Sequence, residues 1–110
     1  MKSLYAQYLT ERTDDKIIEI ESGFITYRYL NNDQVYIIDL FILPQYRKAG
    51  WASTLGDRVC EEAKEKGCKE VLGTVNLSTK GANASILTLI AYGMVVSSCS
   101  DNIIIFKKGL

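Results

Sequence analysis

No histidine occurs anywhere in the 110 residues. That absence excludes histidine-activated nucleophiles and histidine-ligated metals. Acid–base chemistry is left to carboxylates, tyrosines, lysines, thiols or the substrate itself. Cysteine is scarce: Cys60, Cys68 and Cys99 form an odd set without paired short spacing. They fit neither a disulfide framework nor a zinc site, and reduced thiols point to a cytoplasmic protein with no bound metal. Neither sign of charge prevails, since thirteen Lys and Arg balance thirteen Asp and Glu. No whole-molecule field draws the chain to nucleic acid or to an anionic membrane. The opening residues lack the apolar core of a secretory signal. The uncharged stretch 81–100 holds only ILTLIAYGMVV as continuous apolar sequence, well short of the about 20 residues a spanning helix needs. The composition, 47% hydrophobic and 24% charged, is that of a globular chain, and 1–110 reads as one domain.

Residues 2–12 carry Leu4, Tyr5, Tyr8 and Leu9 at helical spacing. KIIEIES and FITYRYL are rich in β-formers around Ser22 and Gly23, a hairpin pattern. After the turn chemistry of NNDQ comes VYIIDLFIL, so apolar that it reads as a strand covered on both faces, with Asp39 buried inside it. STLGDRVCEEAKEKG places Leu55, Val59 and Ala63 on one helical face, spaces Glu62 and Lys66 for an ion pair, and closes on Gly67. EVLGTVN is a further strand. ANASILTLIAYG is an apolar helix expected to be buried on several sides, and MVVSSCSDNIIIFKK gives two strands about residues 100–102. The order predicts an α/β fold, an α+β mixed sheet, with a central right-handed strand–helix–strand crossover and a hairpin after the last helix.

The single proline, Pro44, ends the apolar strand and is followed by QYRKAGWAS. A helix start leaves amides without acceptors and carries partial positive charge. Gly50 and Ala52 keep side chains out of the space a phosphate would fill, while Arg47 and Lys48 add charge. The same residues also suit an ordinary strand-to-helix turn with two surface cations. Neither the P-loop nor the dinucleotide glycine spacing is present.

Arg47-Lys48-Ala49-Gly50-Trp51-Ala52, with Pro44 three residues ahead, resembles the Q/R-x-x-G-x-G/A motif of the GNAT superfamily of N-acetyltransferases. The likeness in element order extends over 16–108. It implies a GNAT-like acyl-CoA-binding fold, with acetyl-CoA (coenzyme A) as cofactor. Backbone groups of Leu40, Phe41 and Ile42 would run beside the pantetheine arm, and the amides of Arg47, Lys48, Ala49, Gly50, Trp51, Ala52 and Ser53 would receive the pyrophosphate. The strands VYIIDLFIL and EVLGTVN would splay apart around the cofactor. The implied activity is transfer of acetyl to a primary amine of a small molecule or a protein. The alternative is a domain that holds acyl-CoA or a protein partner without turnover. A homodimer built through an edge strand is also open to such a fold, and the apolar NIIIF needs a cover.

Where the family commonly has a tyrosine to protonate the leaving thiolate, counting back from Gly93-Met94 finds Leu89, and Ala82 stands in the asparagine's place. Asn83 and Tyr92 are near in sequence, but at 100° per residue not equivalent in space. Asp39 and Tyr36 are candidate bases because their strand would border the acetyl group. Each also has a structural reading, as a satisfied buried carboxylate and as a packing residue. Cys60 and Cys68 read as small core or boundary residues, and no histidine is present to activate these thiols or Cys99 as a nucleophile. Direct attack by the amine is therefore expected, with a strand amide polarising the thioester carbonyl. Packing is the expected role of the Trp51 ring.

Overall fold

The computed structural model describes residues 2–110. Helix α1 (Leu4–Arg12) is followed by strands β1 (Lys16–Ile20), β2 (Gly23–Tyr29) and β3 (Gln34–Ile42). After a 3-10 turn at Pro44–Tyr46 come helix α2 (Trp51–Glu65), strand β4 (Glu70–Asn76), helix α3 (Ala82–Ala91), and strands β5 (Val95–Ser100) and β6 (Ile103–Gly109). The strands form one mixed sheet in the order β1-β2-β3-β4-β6-β5. Every neighbouring pair is antiparallel except β3–β4, which α2 connects as the expected crossover.

The core lies between α2 and one face of the sheet. Leu55, Val59 and Ala63 form the buried stripe of α2, against Ile25, Val35, Val71 and Phe106. Four of the larger side chains there, Phe106, Ile25, Leu55 and Val35, are fully buried; each contributes about 1.5–3 kcal/mol by leaving water. Cys60 and Cys68 belong to this cluster as small apolar groups, and burial raises the Cys68 thiol pKa. Helix α1 covers the opposite face, where the Tyr5 ring stands edge-on to Phe24 at 5.5 Å between centroids. Ser3 caps it, accepting the Ala6 N–H at 3.0 Å while donating to Glu19. Of α1, Ala6 and Leu9 are buried, whereas Leu4 and Tyr8 face solvent.

Several expectations change in three dimensions. Strand β3 is not covered on both faces: only Val35 and Ile42 are buried. Helix α3 has no buried residue, and Leu87 and Ile90 are 67% and 53% exposed. Ile86 and Leu89 alone of its large residues pack on the core, since one side of a short helix reaches the sheet. Glu62 does not pair with Lys66. It accepts hydrogen bonds from Tyr27 (2.5 Å) and Tyr29 (3.0 Å), and Lys66 instead lies over the Tyr29 ring. The apolar β6 finds its cover within the fold, between β4 and β5, so β5 is the sheet edge and all its residues are exposed.

Candidate functional site: a cleft between two parting strands

The parallel β3–β4 ladder runs from Gln34–Glu70 to Ile37–Gly73 and stops there. Both strands continue, β3 to Ile42 and β4 to Asn76, each held on its far side by β2 and β6. A wedge therefore opens within the sheet beyond Ile37 and Gly73. Its cause is a bulge in β3. Tyr27 pairs with Ile37 and Thr26 with Asp39, leaving Ile38 as an extra residue, and the Asp39 N–H donates to the Thr26 hydroxyl at 3.0 Å. A bulge bends its strand and increases its local twist.

That one residue also reverses the side-chain alternation. Without it, Asp39 would share the core face with Val35 and Ile37. With it, Asp39 lies opposite Thr26 on the outer face and is exposed, so the buried carboxylate expected from the sequence is not found. Tyr36, opposite Arg28, lies on that same face and its hydroxyl meets the Thr74 hydroxyl at 2.8 Å. Thr74 is the first β4 residue past the end of the ladder, so the hydroxyl pair spans the closed end of the wedge.

Of the three residues expected to border a pantetheine arm, two have backbone groups turned into the wedge. The Leu43 N–H donates to the Ser22 carbonyl at 2.8 Å, which sets the hydrogen-bond alternation between β2 and β3. Phe41 then exchanges bonds with Phe24, while Leu40 and Ile42 turn their N–H and C=O groups to the β4 side.

The wide end of the wedge leads to the start of α2. Gly50, with φ 85°, is the N-cap; it supplies no side-chain cap, and a Cβ built on it meets nothing within 4 Å. Among the described residues, none of the backbone amides of 48–53 has an acceptor, whereas the Arg47 N–H is used by the Pro44 carbonyl. The open amide row is thus Lys48, Ala49, Gly50, Trp51, Ala52 and Ser53. The residues present fit a phosphate-bearing cofactor: free donors, a bare glycine, and the positive end of a helix dipole. The Arg47 side chain folds away from this row. Its Nε donates to the Ile42 carbonyl at 2.9 Å and its guanidinium lies 5.6 Å from the centre of the Phe41 ring. Trp51 remains 39% exposed at the mouth rather than packed under the helix.

On the helix side of the wedge, Leu89 and Met94 both lie 3.6 Å from where a Cβ on Gly73 would be. Leu89 brings no proton donor to that point. Tyr92 is committed elsewhere. Its hydroxyl donates to Asp57 at 2.7 Å and lies 3.5 Å from the Cys60 sulfur; burial, then these two partners, raise its pKa. Thr74 is a site residue that the sequence does not mark. Its hydroxyl is simply one polar group among the apolar residues of EVLGTVN, and its exposure is seen only in the fold.

Fold and cleft together are of the GNAT type. Residues 6–84 match the acetyltransferase (GNAT) family model, and the chain belongs to that family. Similar solved structures include the PaiA N-acetyltransferase of Thermoplasma acidophilum in complex with coenzyme A, at TM-score 0.77 and 17% identity over 94% of this chain and 66% of that one. A GNAT family acetyltransferase of Elizabethkingia anophelis with acetyl-CoA bound aligns at TM-score 0.73 and 15% identity, over 100% of this chain and 84% of the other. The IAA acetyltransferase of Bacillus cereus aligns at TM-score 0.72 and 12% identity, over 98% and 85%. At these identities the likeness is one of fold. The chain spans just under two thirds of the length of the Thermoplasma acidophilum protein. A search of curated proteins finds no match.

Proposed function

We propose that this chain binds acetyl-CoA and transfers its acetyl group to a primary amine by direct attack. The observation that carries the reading is the wedge: the β3–β4 ladder ends at Ile37 and Gly73, and the opening leads to the unpartnered amides of 48–53. The pyrophosphate would rest on those amides, and the pantetheine arm would lie along Leu40 and Ile42, where a strand amide polarises the thioester carbonyl. The reacting end then falls at the closed end of the wedge, beside Tyr36, Thr74 and Asp39. In this reading Asp39 receives a proton from the incoming ammonium, and the Tyr36–Thr74 hydroxyl pair supplies one to the departing thiolate, a task Leu89 does not perform. With that pair assigned, no thiol or metal is required.

Titration with acetyl-CoA while the melting temperature is followed tests the cofactor. Ligand at 100 times its Kd adds about 2.7 kcal/mol, roughly ten degrees for a domain of this size. A saturable shift supports the reading, and a flat response to millimolar ligand ends it. Leu89 favours a second reading, a module that holds acyl-CoA without turnover. It predicts the same shift with no thiol release above the spontaneous rate across a broad panel of amines. A second copy of the chain would pair through the free β5 edge, which sedimentation measures directly.

A further inference from the structure

The outer face of the sheet beside the wedge carries an aromatic platform with one uncompensated charge. Phe24 and Phe41 are cross-strand partners with ring centroids 6.0 Å apart, and Tyr5 of α1 stands edge-on to Phe24. Phe41 and Tyr5 are 42% and 40% exposed, and the Arg47 guanidinium lies over one face of the Phe41 ring, 5.6 Å from its centre. Asp39, two residues before Phe41 on the same strand, projects from the same face. Among the described residues its carboxylate has no hydrogen-bond donor and no cation within 4.0 Å. Two basic residues of the neighbouring strand and turn are already engaged: Arg28 pairs with Asp15 at 2.5 Å, and Arg47 donates to the Ile42 carbonyl. Desolvation and then the Asp39 charge raise the Tyr5 pKa, so the field of this carboxylate extends over the platform.

A carboxylate without a partner beside partly exposed rings suits a cation that carries an apolar body. The charge attracts an ammonium, ring faces add cation–π attraction, and the rings take apolar surface out of water. An acidic acceptor would meet Asp39 as a like charge. A polyamine would satisfy the carboxylate and leave the platform wet.

We infer that the acceptor is a monoamine on an aromatic or aliphatic body, its ammonium against Asp39 and its body on Phe24, Phe41 and Tyr5. This rests on the acetyl-transfer reading above. In the step itself the ammonium loses one proton beside Asp39. The nitrogen lone pair forms the C–N bond at the thioester carbonyl, and the C–S bond breaks with its pair on sulfur. A second proton leaves nitrogen as the thiolate gains one, so amide, free thiol and one released proton balance amine and thioester.

The test compares 2-phenylethylamine, spermidine and glutamate as acceptors, reading thiol release, with the acetyl-CoA melting shift measured in parallel. Phenylethylamine should be used with the highest kcat/KM, by about tenfold or more over either competitor. Asp39→Asn should raise its KM about tenfold, the equivalent of roughly 1.4 kcal/mol, and leave the acetyl-CoA shift in place. Phe24→Leu should weaken phenylethylamine and spare spermidine. Preference for spermidine or glutamate, or a KM indifferent to Asp39→Asn, overturns the inference while acetyl transfer stands. Absence of the acetyl-CoA shift overturns both.

Discussion

The ring of Tyr92 lies on the backbone of Gly56: a Cβ placed there would stand 2.9 Å from Cζ and 3.1 Å from the hydroxyl oxygen. The end of α3 is thereby locked to the middle of α2, since the same hydroxyl donates to Asp57 one residue along. Gly56→Ala improves helix propensity yet drives a methyl group into the ring. Overpacking costs about 1–3 kcal/mol and propensity returns about 1 kcal/mol, so a net loss of about 1–2 kcal/mol is expected, read as a lower urea midpoint. Unchanged or higher stability would mean that α3 shifts freely on α2.

Gly50→Val changes the bare N-cap of α2. A β-branched residue at φ 85° costs roughly 1–2 kcal/mol, and its methyl groups enter the open space in front of the amides. The variant should keep its far-ultraviolet spectrum and lose the melting shift with acetyl-CoA. A full shift would remove the amide row as the pyrophosphate site.

Tyr36→Phe and Thr74→Val each break the hydroxyl pair at the closed end of the wedge. With the acetyl-CoA shift intact, each should lower kcat about 100-fold, the lower end of what a positioned proton donor contributes. Thr74→Ser should restore most of the rate. Wild-type kcat in both variants would return the proton to solvent.

Alkaline pH should unfold the protein before its surface requires it. Tyr27 and Tyr29 are raised above the ordinary 10.0 by burial and then by Glu62, and Tyr92 by burial and its two partners. Each phenol holds its proton more firmly folded than unfolded. Their contribution is complete below pH 10 and is lost as pH climbs above it toward the folded values. Phenolate absorbance recorded with circular dichroism should then rise in a step that coincides with unfolding. Smooth titration without loss of structure would show these phenols to be freely accessible.

Most of the element order was legible because each element carries its own period. Leu55, Val59 and Ala63 mark the buried stripe of α2, and the hairpin about Ser22 and Gly23 falls between β1 and β2 as its β-formers indicate. What was not legible depends on partners distant in sequence. In YIIDLFI every residue but the aspartate is apolar, so no alternation reveals that Ile38 is the extra residue, and the face of Asp39 follows from that bulge alone. The fate of Glu62 was hidden likewise, since Lys66 is the local partner and the tyrosines that take it lie 35 and 33 residues away. The motif at 47–52 announced the amide row but not the turning of the Arg47 side chain, which the Ile42 carbonyl decides.

The position of β6 has a consequence for synthesis on the ribosome. Strands β1 to β4 and the crossover helix can associate in the order they emerge, but β5 touches no earlier strand. It has nothing to hydrogen-bond until β6 follows and threads between it and β4. The nascent chain thus carries an open β4 edge and an unpaired β5 together, and both gain their hydrogen-bond partner in a single late event. Chaperone capture of this protein should concentrate in that interval.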